Sequence, residues 1–292
     1  MKNIPHRFLP LVLIALVLPT CPWAGPLLSV PPPASPAAQG NPAGLFADAG
    51  PQAAQSSPAS SARQDERVQK IIRAIDEMYR SRTSHARMEM VVVTPQWERT
   101  LTLEAWTQGL DKTFVRILQP KKERGVATLR LKNEMWNYLP NTNKVIKIPP
   151  SMMMGSWMGS DFTNDDLVKE YNLKDDYTVT LTVPPEAEAG LLYLECRPRP
   201  GLPVVWDLVL VAVRAVDDLP VWQKFFDEKG KLMRTMNFRD IRAFGSKKIP
   251  SVMELIPQKK EGQKTTVRFL DIEFDVKLAD DVFTMRNLSR PL

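Results

Sequence analysis

Thr100-Leu101-Thr102-Leu103-Glu104-Ala105-Trp106 alternates apolar and polar side chains at every second position. Successive side chains of a β-strand point to opposite faces of the sheet, so this alternation predicts a strand with one buried face. Residues 113–118 repeat the pattern a short distance further on. Because no long helix separates the two segments, we expect them to pair antiparallel.

Short strands with the same period continue on both sides of this stretch. They are predicted at 87–94, 126–132, 134–139 and 144–148 and then at 177–183, 191–197, 204–216, 221–227, 232–239, 251–256 and 265–274. Strands spaced so closely exclude a parallel α/β sheet. We therefore expect a mainly β (α+β) fold, in which about a dozen strands curve into a half-open antiparallel β-barrel.

Two segments that are not strands are expected to cover the inner face of this barrel. Residues 64–81 place Val68, Ile72 and other apolar side chains at helical spacing, which predicts an amphipathic N-terminal helix. Residues 151–159 are rich in Met, and 163–170 resemble a short helix with acidic residues in its first turn. Together, 151–170 form the predicted helical, Met-rich lid segment.

The chain is predicted to have three parts. Residues 1–24 combine a basic start with the apolar run 8–18, which is typical of a signal peptide for export and too short for a membrane span. Lipid anchoring at Cys21 is disfavoured, because the residues before it suit acylation poorly. Residues 25–63 are dominated by Pro, Ala and Ser and predict a disordered linker. Residues 64–292 form the predicted folded domain.

The composition argues against an enzyme. Only two His and two Cys occur in 292 residues, and His6 and Cys21 belong to the predicted signal peptide. The remaining Cys196 lies on a predicted strand and is expected to be a buried apolar residue. The formal net charge of +6 is spread over many turns. It predicts no nucleic-acid partner but allows peripheral contact with an anionic membrane surface.

Acidic residues cluster after the Met-rich segment, at Asp161, Asp165, Asp166 and 175–176. Oxygen-rich clusters bind Ca²⁺ in some proteins, but the spacing and the central Gly of an EF-hand are absent. Helix capping by Thr163 or Asn164 and solvated turns explain these residues more simply. No metal and no cofactor are therefore predicted.

Methionine and tryptophan side chains are the candidates for binding an apolar ligand. Met side chains are flexible and polarizable, so they suit surfaces that repack around variable ligands, although core packing explains them equally well. Tryptophans on the early strands could likewise line a cavity or belong to an ordinary core. The predicted cavity and lid residues are Trp97, Trp106, Trp136, Met152, Met153, Met154, Trp157, Met158 and Phe162.

Several segments of the predicted domain resemble the LolA-like outer-membrane lipoprotein-sorting family. They include Trp97-Glu98-Arg99-Thr100-Leu101-Thr102, Gly125-Val126-Ala127-Thr128-Leu129, Asn133-Glu134-Met135-Trp136-Asn137-Tyr138-Leu139-Pro140 and, most specifically, residues 151–167. The resemblance implies a half-open barrel with a helical lid over an apolar cavity. It also implies a periplasmic protein without catalytic activity.

The resemblance implies a carrier as the leading functional hypothesis. Its cargo would be the acyl chains of a lipoprotein or another lipid, received from an inner-membrane transporter and passed to an outer-membrane acceptor. The alternative is a periplasmic adaptor of an envelope transporter, with a filled barrel and no lipid cargo. A third hypothesis is a lipid hydrolase with Ser156 as nucleophile and His85 as base.

Overall fold

The structure is a computed structural model and describes residues 58–168, 173–202 and 205–292. The predicted signal peptide and nearly all of the predicted linker therefore lie outside the described residues. The described residues belong to one compact unit, Gln55–Leu292.

One large antiparallel sheet contains the strands of this unit. In the described residues it has 13 strands, which confirms the predicted mainly β fold with an open sheet rather than a closed barrel. The strands are β1 (Thr83–Val93), β2 (Glu98–Gln108), β3 (Lys112–Gln119), β4 (Ala127–Leu131), β5 (Glu134–Leu139), β6 (Lys144–Lys147), β7 (Tyr177–Thr182), β8 (Leu191–Pro198), β9 (Leu208–Arg214), β10 (Pro220–Phe226), β11 (Leu232–Phe244), β12 (Lys247–Pro257) and β13 (Lys264–Phe274).

The two edge strands of the sheet, β6 and β7, are neighbours in sequence. Along the sheet the order is β6-β5-β4-β3-β2-β1-β13-β12-β11-β10-β9-β8-β7. The chain thus builds one half of the sheet outward from β1 and the other half inward from β7, until β13 pairs with β1. Residues 148–176 connect the two edges, and we call them the crossover.

Four helices accompany the sheet within the described residues. They are α1 (Pro58–Asp76), α2 (Asn164–Val168), α3 (Leu173–Asp176) and α4 (Met285–Leu288), with short 3₁₀ turns at Pro140–Thr142, Pro150–Met152 and Trp157–Gly159. None of the helices described is long and apolar enough to cross a membrane.

Helix α1 begins and ends earlier than the periodicity of its sequence predicts. It starts at Pro58, a residue tolerated in the first turn of a helix, and stops at Asp76 instead of residue 81. Met78 and Tyr79 follow it in a turn but stay on the inner side, where Tyr79 stacks on Phe269 with 4.6 Å between ring centroids. Apolar spacing persists through this turn, which is why the sequence pattern overestimates the helix.

Two apolar clusters fill the inner face of the sheet. Helix α1 inserts Val68, Ile71 and Ile72 into the first cluster, which covers β7 to β12. The crossover inserts Trp157 into the second cluster, most of which comes from β1, β2, β3 and β13. Each half of the inner face is therefore covered by a different segment of the chain.

The outer face carries a third, smaller cluster under the C-terminal segment. Phe114 and Leu129 project outward from β3 and β4 and pack with Leu288 of α4, which is fully buried. Thr284 caps α4, since its hydroxyl accepts a hydrogen bond of 3.1 Å from the backbone N–H of Asn287. The C-terminal residues thus cover part of the convex side of the sheet.

The hairpin of β11 and β12 extends further than predicted. The predicted strand begins at Ser251, directly after Pro250, which has no N–H for a ladder hydrogen bond. In the structure Asp240 has a positive φ of 54°, and its carbonyl accepts a hydrogen bond from the Ser251 hydroxyl. The two strands keep the same register on both sides of this position and pair as far as Phe244 and Lys247.

Burial of α1 predicts a large loss of stability when its apolar face is truncated. Ile72 is fully buried, and Ile72→Ala should lower the free energy of unfolding by about 2–5 kcal/mol. Ile146 on the edge strand β6 is 41% exposed, so Ile146→Ala should cost less than about 1 kcal/mol. Urea denaturation of both variants checks this, and equal losses would contradict the inserted position of α1.

Candidate functional site

An apolar cavity lies between α1, the crossover and the inner face of the sheet. Its volume is about 310 Å³. The residues that line it come from all three parts of the structure. They include Ile75, Met78, Tyr79, Leu103, Ala105, Val115, Trp157, Phe162, Leu167, Phe225, Met236, Phe238, Met253, Val267 and Phe269.

A few polar groups interrupt this apolar lining at one end of the cavity. Near the start of β1, the hydroxyls of Ser84 and Thr107 are 2.6 Å apart, and Arg80 donates a hydrogen bond of 3.3 Å to the Thr113 hydroxyl. Burial and the nearby Arg130 lower the pKa of Arg80 to about 9. An apolar cavity with a few fixed polar groups is typical of small-molecule sites.

The crossover is fastened to the strands by hydrogen bonds of its own side chains. Trp157 is buried, and its indole N–H donates to the Thr128 hydroxyl at 3.0 Å. The carboxylate of Asp161 accepts hydrogen bonds of 2.8 Å each from the Thr265 hydroxyl and the Gln263 amide. These bonds join the crossover to strands on both sides of β1.

Asp166 joins the second part of the crossover to β11. The backbone N–H of Asp166 donates a hydrogen bond to the Thr163 hydroxyl, and the Asp166 carboxylate accepts one from the backbone N–H of Thr163. This reciprocal pair is a capping box at the start of α2 and confirms the predicted capping role of Thr163. The carboxylate also accepts two hydrogen bonds from Arg234, at 2.7 and 2.6 Å. The Arg234 guanidinium lies 4.6 Å from the ring centroid of Trp206 and 4.5 Å from that of Phe225. This ion pair is buried among aromatic rings.

Removing one charge of this buried pair should be costly. Asp166→Asn leaves the Arg234 cation buried beside a neutral amide and should lower the free energy of unfolding by about 3–5 kcal/mol. The matched control is Asp218→Asn, which removes the exposed ion pair with Arg67 and should cost less than about 1 kcal/mol. Chemical denaturation measures both, and similar losses would show that the buried pair contributes no more than a surface pair.

Asp76 connects the end of α1 to α3 at the edge of the cavity. Its two carboxylate oxygens accept hydrogen bonds of 3.2 Å from the backbone N–H groups of Leu173 and Lys174. Burial is the main cause that raises the pKa of Asp76 to about 7. Asp175 and Asp176 act in the same direction, and the two backbone hydrogen bonds act against it. The ionised form of Asp76 is therefore disfavoured in the folded state.

The raised pKa of Asp76 predicts that its contribution to stability changes with pH. Between its ordinary pKa of 3.8 and about 7, the folded state binds a proton that the unfolded state has released, so stability falls as the pH rises through this range. The stability of the natural chain relative to Asp76→Asn should therefore decrease from about pH 4 to about pH 7. Unfolding curves of both proteins across this range measure the difference, and a constant or increasing difference would contradict the prediction.

Four of the predicted site residues lie at or near the cavity. Trp157 and Phe162 line it. Met153 and Met158 are partly buried and pack against the same cluster of the inner face. All four belong to the crossover, so the structure brings together the middle of the predicted lid segment.

The other five predicted site residues lie elsewhere. Met152 and Met154 are each 53% exposed on the crossover, and Trp97 is 46% exposed beside the turn after β1. Trp106 and Trp136 project from the outer face, where they pack against the cluster that contains Leu288. Trp106 alternates with Ala105, which faces the cavity, so the strand period itself places this indole on the convex side.

Several cavity residues were not singled out from the sequence. Tyr79 and Phe269, which stack on each other, and Met236 on β11 all line the cavity. The alternation of β13 already places Val267 and Phe269 on one face. Which face is the inner one follows only from the strand order and from the positions of α1 and the crossover.

The residues of the hydrolase hypothesis are not assembled. His85 projects from the outer face of β1, stacks on Trp106 and lies 2.8 Å from the carboxylate of Glu104. Ser156 belongs to the crossover on the inner side, and its hydroxyl donates to the carbonyl of Ser160. Cys196 is buried, as predicted, and burial raises the pKa of its thiol.

Solved structures with the same architecture show the fold class. A DUF1329 family protein from Desulfovibrio piger has 20% identity and a TM-score of 0.69, and the match covers 77% of this chain and 99% of that one. A putative outer membrane lipoprotein-sorting protein domain from Vibrio parahaemolyticus has 22% identity, a TM-score of 0.63 and coverage of 77% and 99%. A LolA superfamily protein from Nitrosomonas europaea has 20% identity, a TM-score of 0.62 and coverage of 75% and 98%. The fold is therefore LolA-like, which confirms the resemblance noted in the sequence.

The family follows from the sequence match itself. A family model described as "Uncharacterized protein" matches residues 109–290, which is more than half of the chain. The chain belongs to this family, whose fold here is LolA-like. No curated protein matches the sequence.

Proposed function

We propose that this protein is a periplasmic carrier that binds acyl chains of a lipoprotein or another lipid and helps deliver them towards the outer membrane. The observation that carries the proposal is the apolar cavity of about 310 Å³ between α1, the crossover and the inner face of the open sheet. The donor would be an inner-membrane transporter and the acceptor an outer-membrane protein. No catalytic residue, metal or cofactor is part of the proposal.

The energy for binding would come from burial of hydrocarbon. Each CH₂ group that moves from water into an apolar site contributes about 0.8 kcal/mol. The side chains of Trp157 and Phe162 would contact the cargo from the crossover, and Tyr79 and Met78 would contact it from the turn after α1. The crossover and α1 cover opposite halves of the inner face, so separation of the two would enlarge the cavity for entry and release.

Filling the cavity with a larger side chain tests the carrier proposal. Ala105 lines the cavity, and Ala105→Phe should reduce the binding of a fluorescent fatty acid by about tenfold or more, because the new ring occupies the space of several CH₂ groups. The matched control is Ala243→Phe, at an exposed position of β11, which should bind like the natural chain. Native mass spectrometry of the purified chain should also show co-purified lipid, and thermal unfolding should show that both variants are folded.

Two outcomes would overturn the proposal. One is the absence of both co-purified lipid and fatty-acid binding in the natural chain. The other is a folded Ala105→Phe variant that binds the fatty acid as tightly as the natural chain does. Ala86→Leu, a second variant of a cavity residue, should give the same result as Ala105→Phe. Capture of an envelope transporter by a chain that binds no lipid would instead favour the adaptor function.

A further inference from the structure

The turns at one end of the sheet form a continuous surface. Val93, at the end of β1, pairs with both Glu98 and Lys264, so the turn after β1 lies beside the turn before β13. Gly262 in that second turn lies against the ring of Pro95. An ion pair of 3.3 Å between Arg99 and Glu123 connects the turn between β3 and β4 to this surface. We call residues 94–99, 120–126 and 258–263 the basic rim.

The basic rim holds half of the net charge of the chain. It contains six basic and three acidic residues, a net charge of +3 compared with +6 for all 292 residues. One of the three acidic residues is Glu123, which pairs with Arg99 inside the rim. Lys121, Lys122, Arg124 and Lys259 are exposed.

Two loops at the opposite end of the sheet are acidic. The loops 183–190 and 215–219, which follow β7 and β9, contain Glu186, Glu188, Asp217 and Asp218 and no Lys or Arg. Other turns at that end carry basic residues, such as Lys132 after β4 and Lys248 at the start of β12. The basic rim is therefore distinguished by the concentration of its basic residues in adjoining turns.

The basic rim contains one exposed indole ring, that of Trp97. Trp97 is 46% exposed, and the guanidinium of Arg99 lies 5.7 Å from its ring centroid. A tryptophan beside cationic side chains suits the boundary between lipid headgroups and acyl chains, because its ring is apolar and its N–H is polar. A rim of lysines alone would fit any polyanion, but the exposed ring favours a surface with an apolar layer beneath it.

The rim also lies next to the crossover. Arg99 donates a hydrogen bond to the carbonyl of Met158, and the Lys260 ammonium is 3.7 Å from the carboxylate of Asp161. We propose that the basic rim docks on an anionic lipid bilayer, with Trp97 in the headgroup region and the crossover facing the membrane. This inference does not depend on what the cavity holds.

Binding of the full chain to lipid vesicles tests the docking surface. The probes are vesicles of phosphatidylcholine alone and vesicles with about 30% phosphatidylglycerol, whose negative surface attracts basic side chains. The natural chain should bind the anionic vesicles more tightly, and binding should weaken as salt screens the charges. Lys121→Gln/Lys122→Gln/Lys259→Gln should weaken binding to the anionic vesicles by at least about tenfold.

Two further variants make the result specific. Lys70→Gln/Lys132→Gln/Lys248→Gln removes the same charge from exposed lysines outside the rim and should change binding less than about threefold. Trp97→Ala keeps the charge and should weaken binding several-fold. The apolar run 8–18 is present in every variant, so its own affinity for lipid cancels in the comparison.

The docking proposal would be overturned by any of three results. These are equal binding to neutral and anionic vesicles, equal losses in the two triple variants, or binding of heparin but not of anionic vesicles. Fatty-acid binding by the rim variants separates the two proposals. Rim variants that bind fatty acid normally but not vesicles support docking, whereas Ala105→Phe should retain vesicle binding even if it binds no fatty acid.

Discussion

The structure depends on one topological constraint, which is that β6 and β7 are consecutive in sequence but lie at opposite edges of the sheet. The crossover must therefore pass from one edge of the open sheet to the other. The shortest way is over the inner face, where it finds the apolar residues of β1, β2 and β13. Coverage of the cavity follows from the strand order itself and needs no additional domain.

The division of the inner face between α1 and the crossover explains where the charged residues are placed. Each segment alone could slide over an apolar surface, because hydrophobic contacts have little directionality. Asp166 with Arg234 and Asp161 with Thr265 fix the crossover at defined positions, and Asp76 fixes α3 to the end of α1. Buried polar contacts of this kind contribute more to a unique arrangement than to net stability. The cavity remains between α1 and a crossover that is fixed near its middle, at Asp161 and Asp166.

Much of the fold could be predicted from the sequence because alternation is a local property. The strands β5 and β8 were placed within a residue of their bounds, and Thr163, one of the two predicted caps, does cap α2. The residues of the candidate site were harder to predict from the sequence. Trp106 and Trp136 were grouped with the lid residues by side-chain type, but the period of their strands places them on the outer face. Arg234 and Asp76 were missed because their partners, Asp166 and the N–H groups of α3, are distant in sequence.

The unpaired edge at β6 has a consequence for the volume of the cavity. In a closed barrel the number of strands and their stagger fix the circumference, so the interior cannot widen without breaking hydrogen bonds between strands. Here β6 has a free edge and four exposed residues, and lysines at both of its ends, Lys144 and Lys147, discourage pairing with the edge of another molecule. The sheet can flatten or curl with every ladder bond intact. The number of strands therefore does not fix the volume of about 310 Å³, and bending of the open sheet would change this volume without loss of ladder hydrogen bonds.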